Sequence, residues 1–242
     1  MTDLHTHILP GMDDGVQDVE TSLEMLRLEW TQGVDRVVFT PHFHWQRENV
    51  ATFLARRAEA VSRLEEAIRR LPREERATLP RWEVGAEVDW IPDLAQREEL
   101  CQLCLGRGNY FLLELPFGLW SGQIVRQLCE FMGRTPYIPV ISHLDRYWDW
   151  QRSGYIAELL QLGIPIQLRA TALLKLFSRR RALRAIDRGQ IHLLASDCQG
   201  IRGQLPDLGR AMDIVKRRLG PEQAHRLCRW AEAVCPSRGM TT

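Results

Sequence analysis

Two histidines one residue apart, His5 and His7, open the chain in the run Asp3-Leu4-His5-Thr6-His7, with a pair of aspartates, Asp13 and Asp14, just downstream. Side chains alternate along an extended strand, so these two imidazoles lie on one face and converge as a pair of metal ligands. The aspartates past the intervening turn can add hard oxygen donors. Alone, such a pair is equally readable as a strand end carrying two polar residues. Further metal-competent groups give it context: His42, Glu87, Glu114, His143 and Asp197 each fall at or just past the end of a different apolar stretch.

Three or more imidazole nitrogens with two Glu and two Asp carboxylates suit Zn²⁺, Mn²⁺ or Fe²⁺, and are too nitrogen-rich for Ca²⁺ or Mg²⁺ alone. So many donors exceed the needs of one tetrahedral ion, which predicts a carboxylate bridging two metals. The chain has no redox-cofactor motif, no glycine-rich nucleotide loop and no GxSxG. Hydrolysis by a metal-activated water is the chemistry that remains. Arg146 follows His143, and Arg202 follows Asp197, each within a few residues. A guanidinium fork fits phosphate bidentately, which points to a phosphorylated substrate.

The elements that must position these groups alternate. Apolar spacing predicts helices from Asp18, over Val50 to Leu71, Leu94 to Leu105, Gln123 to Met132, Ile156 to Leu162, Ala172 to Arg188, Leu208 to Leu219 and Pro221 to Val234. Between them, apolar runs at Val34–Thr40, Trp82–Val88, Tyr110–Glu114, Ile138–Ile141, Ile164–Leu168 and Ile191–Ala195 read as buried strands. With the first strand, the rhythm is that of a parallel β/α protein. Ligands at the ends of separate strands favour a closed or nearly closed barrel, whose C-terminal rim gathers such groups, over an open sheet.

The 242 residues hold no low-complexity tract or Pro/Gly/Ser-rich linker, so one domain over 1–242 is expected. A net charge of +1 gives no electrostatic case for nucleic acid or membrane surfaces. No apolar run approaches the roughly 18 residues needed to span a bilayer, and no signal-peptide pattern opens the chain, so a cytoplasmic protein is expected. The six cysteines are scattered rather than framed as a disulfide scaffold. Cys101 and Cys104 make one CxxC with no second pair, and read as part of a packed helix face.

The segments DLHTH at 3–7, DDG at 13–15, TPH at 40–42, GAEV at 85–88, LLELP at 112–116, SHLDRY at 142–147 and SD at 196–197 resemble, in this order, the polymerase-and-histidinol-phosphatase (PHP) superfamily. More narrowly they resemble its bacterial capsule and exopolysaccharide tyrosine-protein phosphatase branch. The resemblance implies a distorted TIM-like (β/α)7 barrel with its metal site at the C-terminal rim, holding two to three divalent ions, with Mn favoured over Fe or Zn. It implies a first ion on His5, His7, Glu87 and Asp197. A second would be shared by Glu87, Glu114 and His143, and a third would begin with Asp14 and His42. Arg146 and Arg202 would take the phosphate, with Asp14 also at the catalytic centre. The implied partner is the phosphotyrosine-bearing tail of a bacterial tyrosine kinase that controls polysaccharide polymerisation and export.

Three departures from that pattern stand out. The family's SDAH is Ser196-Asp197-Cys198-Gln199 here, which offers Gln199 to the third ion in place of an imidazole. TPHH becomes Thr40-Pro41-His42-Phe43, with His44 one place on as a loop residue, and HPERY becomes His143-Leu144-Asp145-Arg146-Tyr147. Two other readings are a small-molecule phosphatase of the histidinol-phosphate kind and a catalytically weakened barrel that docks a kinase tail. The short connections favour a protein substrate.

Overall fold

The computed structural model describes residues 1–201 and 203–236. In chain order the strands are β1 (Thr2–Thr6), β2 (Arg36–Phe39), β3 (His42–Phe43), β4 (Arg81–Val84), β5 (Glu87–Asp89), β6 (Tyr110–Glu114), β7 (Ile138–Ile141), β8 (Gln167–Arg169) and β9 (Leu193–Ala195). The helices are α1 (Val19–Thr31), α2 (Val50–Arg70), α3 (Arg73–Arg76), α4 (Gly122–Arg134), α5 (Ser153–Gln161), α6 (Thr171–Leu174), α7 (Leu176–Asp187), α8 (Leu208–Leu219) and α9 (Pro221–Val234).

All strand pairs are parallel, in the orders β1-β2-β4, β3-β5-β6-β7 and β8-β9. Single bridges, Ile141 to Ile166 and Thr6 to Cys198, join the three pieces. The pairing therefore returns to β1: the His7 N–H donates to the Cys198 carbonyl at 2.9 Å, and the Asp197 N–H to the His5 carbonyl at 3.0 Å. The result is a distorted α/β barrel of parallel strands. Among the described residues, no helix is long and apolar enough to cross a membrane.

The run expected as one strand over Trp82–Val88 is broken into β4 and β5 at Gly85 and Ala86. The Ala86 N–H leaves the ladder to bond the Leu103 carbonyl at 3.1 Å. The helix expected over Leu94 to Leu105 is instead two short 3₁₀ turns, Leu94–Gln96 and Glu98–Leu103. Its apolar residues Leu94, Leu100 and Leu103 are fully buried, so packing dictates the path and local helix spacing does not. The helix expected over Ala172 to Arg188 divides at Lys175, which has extended backbone.

One core cluster gathers a residue from each of β1, β2, β6, β7 and β9, namely Leu4, Val38, Leu112, Val140 and Leu193, against Ala231 and Val234 of α9. Helix α9 lies across the N-terminal ends of the strands. Arg36 at the start of β2 donates to Glu232 at 2.7 Å, and the Trp230 ring meets His192, just before β9, at 4.8 Å. That end is sealed, and the C-terminal ends of the strands are left for chemistry.

Candidate metal centre

His5 sits on β1 and His7 just beyond it, and both are fully buried. His5 Nε2 and His7 Nε2 are 3.1 Å apart. Glu87 Oε2, from the start of β5, lies 3.1 Å from the first and 3.4 Å from the second. Asp197 Oδ1, two residues past β9, is 3.3 Å from both. Ligands about 2.0–2.1 Å from a tetrahedral ion stand roughly 3.3 Å from one another, and the separations of His5 and His7 from each other, from Glu87 and from Asp197 are of that size. The donor set fits a divalent transition-metal ion.

The other ring nitrogens fix the tautomers. His7 Nδ1 bonds Asp13 Oδ2 at 2.7 Å, and that same oxygen accepts the His42 N–H at 2.9 Å. His5 Nδ1 is 3.2 Å from Gln167 Oε1, which also accepts the His143 N–H at 2.8 Å. With each Nδ1 occupied as a donor, each Nε2 lone pair faces the cluster, and this outer layer holds the rings in place.

A second group shares Glu87. His143 Nε2 lies 2.8 Å from Glu87 Oε1 and 3.4 Å from Glu114 Oε1. Neither Glu87 Oε1 nor the buried His143 Nδ1 has a hydrogen bond of acceptable geometry, so the close approach to Glu87 is a convergence on a common point rather than a bond. His42 Nδ1 is placed the same way, 3.2 Å from Glu87 Oε2 and 3.9 Å from Glu114 Oε2. His143 and Asp197 both have left-handed backbone, at φ 30° and 52°, which is costly for non-glycine residues and aims their side chains off the strand ends.

The charges reinforce one another. Burial raises Glu87 and Asp197, but the imidazoles around them win, leaving Glu87 well below the usual carboxylate range and Asp197 at about 2. Asp13 is likewise brought down to about 2, its burial outweighed by His7. Conversely, burial would lower the histidines, yet Glu87 and Asp197 raise His5, and Asp13 raises His7 well above its ordinary value. His143 is raised to about 9, mainly by Glu87. Of the four histidines gathered here, His42 alone is lowered, because its burial dominates its carboxylate neighbours.

The remaining expected residues line an adjoining cleft of about 690 Å³ with His42, Glu114 and Asp197: Asp14, Arg146 and Gln199. Asp14 Oδ1 is 3.7 Å from His42 Nε2, with 76% of its side chain exposed, so the third set is looser than the others. Arg146 donates to Glu114 Oε1 at 3.1 Å. Arg202 lies outside the described residues.

Asp13, expected as an oxygen donor to metal, instead orients His7 from behind, and Gln167, which the sequence reading missed, does the same for His5. Arg169, immediately after Leu168 at a strand end, obeys the same placement rule as the ligands and lines the cleft. Asp145 holds it, accepting the Arg169 N–H at 2.9 Å and its Nε at 2.8 Å. Glu29 of α1, also missed, is fully buried. It meets Ser196 Oγ at 3.4 Å and Cys198 Sγ at 3.5 Å, and burial followed by the nearby Asp3 drives it well above the usual carboxylate range.

Residues 1–234 match the model of the capsular polysaccharide synthesis family CpsB/CapC. The tyrosine-protein phosphatase YwqE of Bacillus subtilis is 29% identical over 241 residues, covering 96% of this chain and 90% of that protein. The tyrosine-protein phosphatase CpsB of Streptococcus pneumoniae is 26% identical over 243 residues, covering 94% of each. A crystal structure from work on YwqE and CpsB, described there as unique metal-dependent tyrosine phosphatases, superposes with a TM-score of 0.81 at 24% identity, over 97% of this chain and 94% of that one. A phosphotriesterase-like lactonase of Deinococcus radiodurans shares the fold more distantly, with a TM-score of 0.51 at 17% identity over 93% and 92% of the two chains. A match running nearly the whole length, over segments that carry every member of the metal cluster, settles the lineage: the chain belongs to the CpsB/CapC capsular polysaccharide synthesis family.

Proposed function

We propose that this protein is a metal-dependent protein-tyrosine phosphatase, the activity for which its relatives are named, and that it acts in capsule or exopolysaccharide synthesis, as its family's description suggests. The observation that carries the reading is the convergence of donor atoms from Glu87 and Asp197 on the paired His5 and His7 rings, at 3.1–3.4 Å, beside an arginine-bearing cleft. The barrel has seven staves, with β2 and β3, and β4 and β5, as halves of broken ones, and forms one catalytic domain. The four donors take a first ion, and Glu87, Glu114 and His143 a second. Asp14, His42 and Gln199 take a third and weaker one, with Mn²⁺ the favoured metal. Bound there, divalent ions supply Lewis acidity and a water of lowered pKa.

The chain's own groups do the rest. Arg146 takes the substrate phosphate in a bidentate grip, with Arg169 lining the same cleft and Arg202 as a further phosphate contact. Asp14, open to solvent beside His42, handles the proton of the attacking water. The complete first ligand set argues for catalysis over a docking-only barrel. The substrate is the phosphotyrosine-bearing tail of a bacterial tyrosine kinase, and the cytoplasm suits a protein whose six cysteines are all unpaired.

The test is phosphate release by Mn²⁺-loaded protein from a phosphotyrosine peptide and from histidinol phosphate, with and without a chelator. Chelator-sensitive cleavage of the peptide is expected. Cleavage of histidinol phosphate alone would move the protein to the small-molecule reading, and cleavage of neither would leave a docking barrel.

A further inference from the structure

The loop after β6, Pro116-Phe117-Gly118-Leu119-Trp120, holds two large apolar side chains out in water: Phe117 is 62% exposed and Leu119 78%. Exposed apolar surface of this kind marks a place that a ligand or partner covers. The loop is clasped in place. The Trp120 N–H donates to Gln151 Oε1 at 2.8 Å, Gln151 Nε2 donates to the Gly118 carbonyl, and the Trp120 indole N–H donates to the Pro116 carbonyl at 3.0 Å. Behind it the Trp120 and Tyr147 rings pack at 5.0 Å, and the Tyr147 hydroxyl donates to the Leu115 carbonyl at 2.8 Å. An apolar side chain so firmly presented to solvent is preorganised for something.

Its position says for what. The Arg146 guanidinium carbon lies 4.4 Å from the centre of the Phe117 ring, and the same guanidinium reaches Glu114 Oε1 at 3.1 Å. Phe117 thus stands beside the phosphate-directed arginine. A phosphate on Arg146 brings its ester substituent to that ring. In an aryl phosphate the substituent is itself a flat aromatic ring bonded through the bridging oxygen, and two such rings associate at about 4.5–7 Å in offset or edge-to-face geometry. An alkyl phosphate brings no aromatic surface. We propose that Phe117 is the specificity-determining residue of this site, selecting aromatic over aliphatic phosphate esters by packing against the tyrosyl ring while Arg146 holds the phosphate. This rests on the phosphatase reading above.

The experiment measures binding of benzylphosphonate, a non-hydrolysable aromatic ligand, and of inorganic phosphate, which has no ring, to Mn²⁺-loaded wild type, Phe117→Ala, Phe117→Leu and Phe117→Tyr. Peptide hydrolysis by wild type is run alongside. Benzylphosphonate affinity should fall about 3–10-fold in the Ala and Leu variants and be retained in Phe117→Tyr, with phosphate affinity within about twofold throughout. Equal losses for both ligands would mean that Phe117 only steadies Arg146, and unchanged binding of both would give it no role. Either result overturns the inference while wild-type phosphotyrosine cleavage leaves the phosphatase reading standing. Absent wild-type cleavage overturns both. With 62% of Phe117 in solvent, these variants leave the core intact, and Phe117→Leu keeps the apolar bulk if Phe117→Ala disturbs the loop.

Discussion

At the residue scale, neighbours in sequence have different work. Asp13 is buried against His7, and Asp14 beside it is three-quarters exposed at the cleft. Asp13→Asn should therefore weaken metal binding about 10–100-fold, as loss of an orienting carboxylate typically does, whereas Asp14→Asn should spare the tightly held ions. Chelator competition distinguishes the two. Gln199 is the other residue whose type decides an outcome. Two tightly bound ions per chain are expected, with Gln199→His raising the count toward three by restoring an imidazole. Elemental analysis of purified protein gives the count, and an unchanged value would place residue 199 off the cluster. The donor-bearing residues that the fold brings together were legible in the sequence because donor chemistry is written in single residues, although Glu87 opens β5 rather than ending a strand. Gln167 was not legible, since an amide on a buried strand carries no signal until the fold sets it between His5 and His143.

Protons compete for the same atoms. His143, raised to about 9 by Glu87, is an imidazole whose charged form the fold favours. Such a group adds stability below its unfolded value of about 6.5, and that stability is lost as pH rises through the folded value. Chelator-treated protein should accordingly melt at falling temperature between pH ~6.5 and 9, while metal affinity rises over the same interval because fewer protons must be displaced. Melting curves with and without chelator, and metal titrations across that range, check both slopes. A pH-independent metal affinity would contradict histidine ligation.

At the element scale, β1 and the turn after it are built to a close tolerance. The Gly15 N–H donates to Asp13 Oδ1 at 3.0 Å, and a Cβ on Gly15 would sit 2.5 Å from the His7 carbonyl oxygen and 2.6 Å from the His7 Cβ. Gly15→Ala must push the Asp13 turn away from His7, at a cost of about 1–3 kcal/mol in denaturant unfolding and with weaker metal retention. Unaltered stability would show that the turn yields freely. Strong periodicity made α2 readable to within a residue, from Val50 to Arg70. The 3₁₀ turns at Leu94–Gln96 and Glu98–Leu103 were misread as a helix because their leucines recur at helical spacing while tertiary burial bends the backbone between them. The alternation of strands and helices was enough to predict parallel pairing, whereas the break at Gly85 follows from the bond of Ala86 to Leu103, to which a local pattern is blind.

At the scale of the whole molecule, the sealed end and the chemical end are separable. Leu112 is fully buried in the cluster against α9, and its backbone pairs with Glu87 across the β5–β6 ladder. Leu112→Ala should cost about 2–5 kcal/mol of stability while leaving metal stoichiometry and activity per folded molecule unchanged. Loss of bound metal in that variant would show the two ends to be coupled. The closure of the barrel also has a temporal side. His5 and His7 leave the ribosome first, yet the Asp197 N–H that bonds the His5 carbonyl, and the carboxylate that faces both rings, come from the far end of the sequence. At about 5–20 residues per second, some tens of seconds can separate the synthesis of the first ligands from that of the last. Through that interval a nascent chain offers an incomplete set of donors to whichever ion is abundant, lacking the Asp197 carboxylate and the last strand that closes the barrel. Choice of metal is therefore exercised by the finished protein, and a cell that loads it correctly does so after translation, from the pool of ions the completed barrel meets.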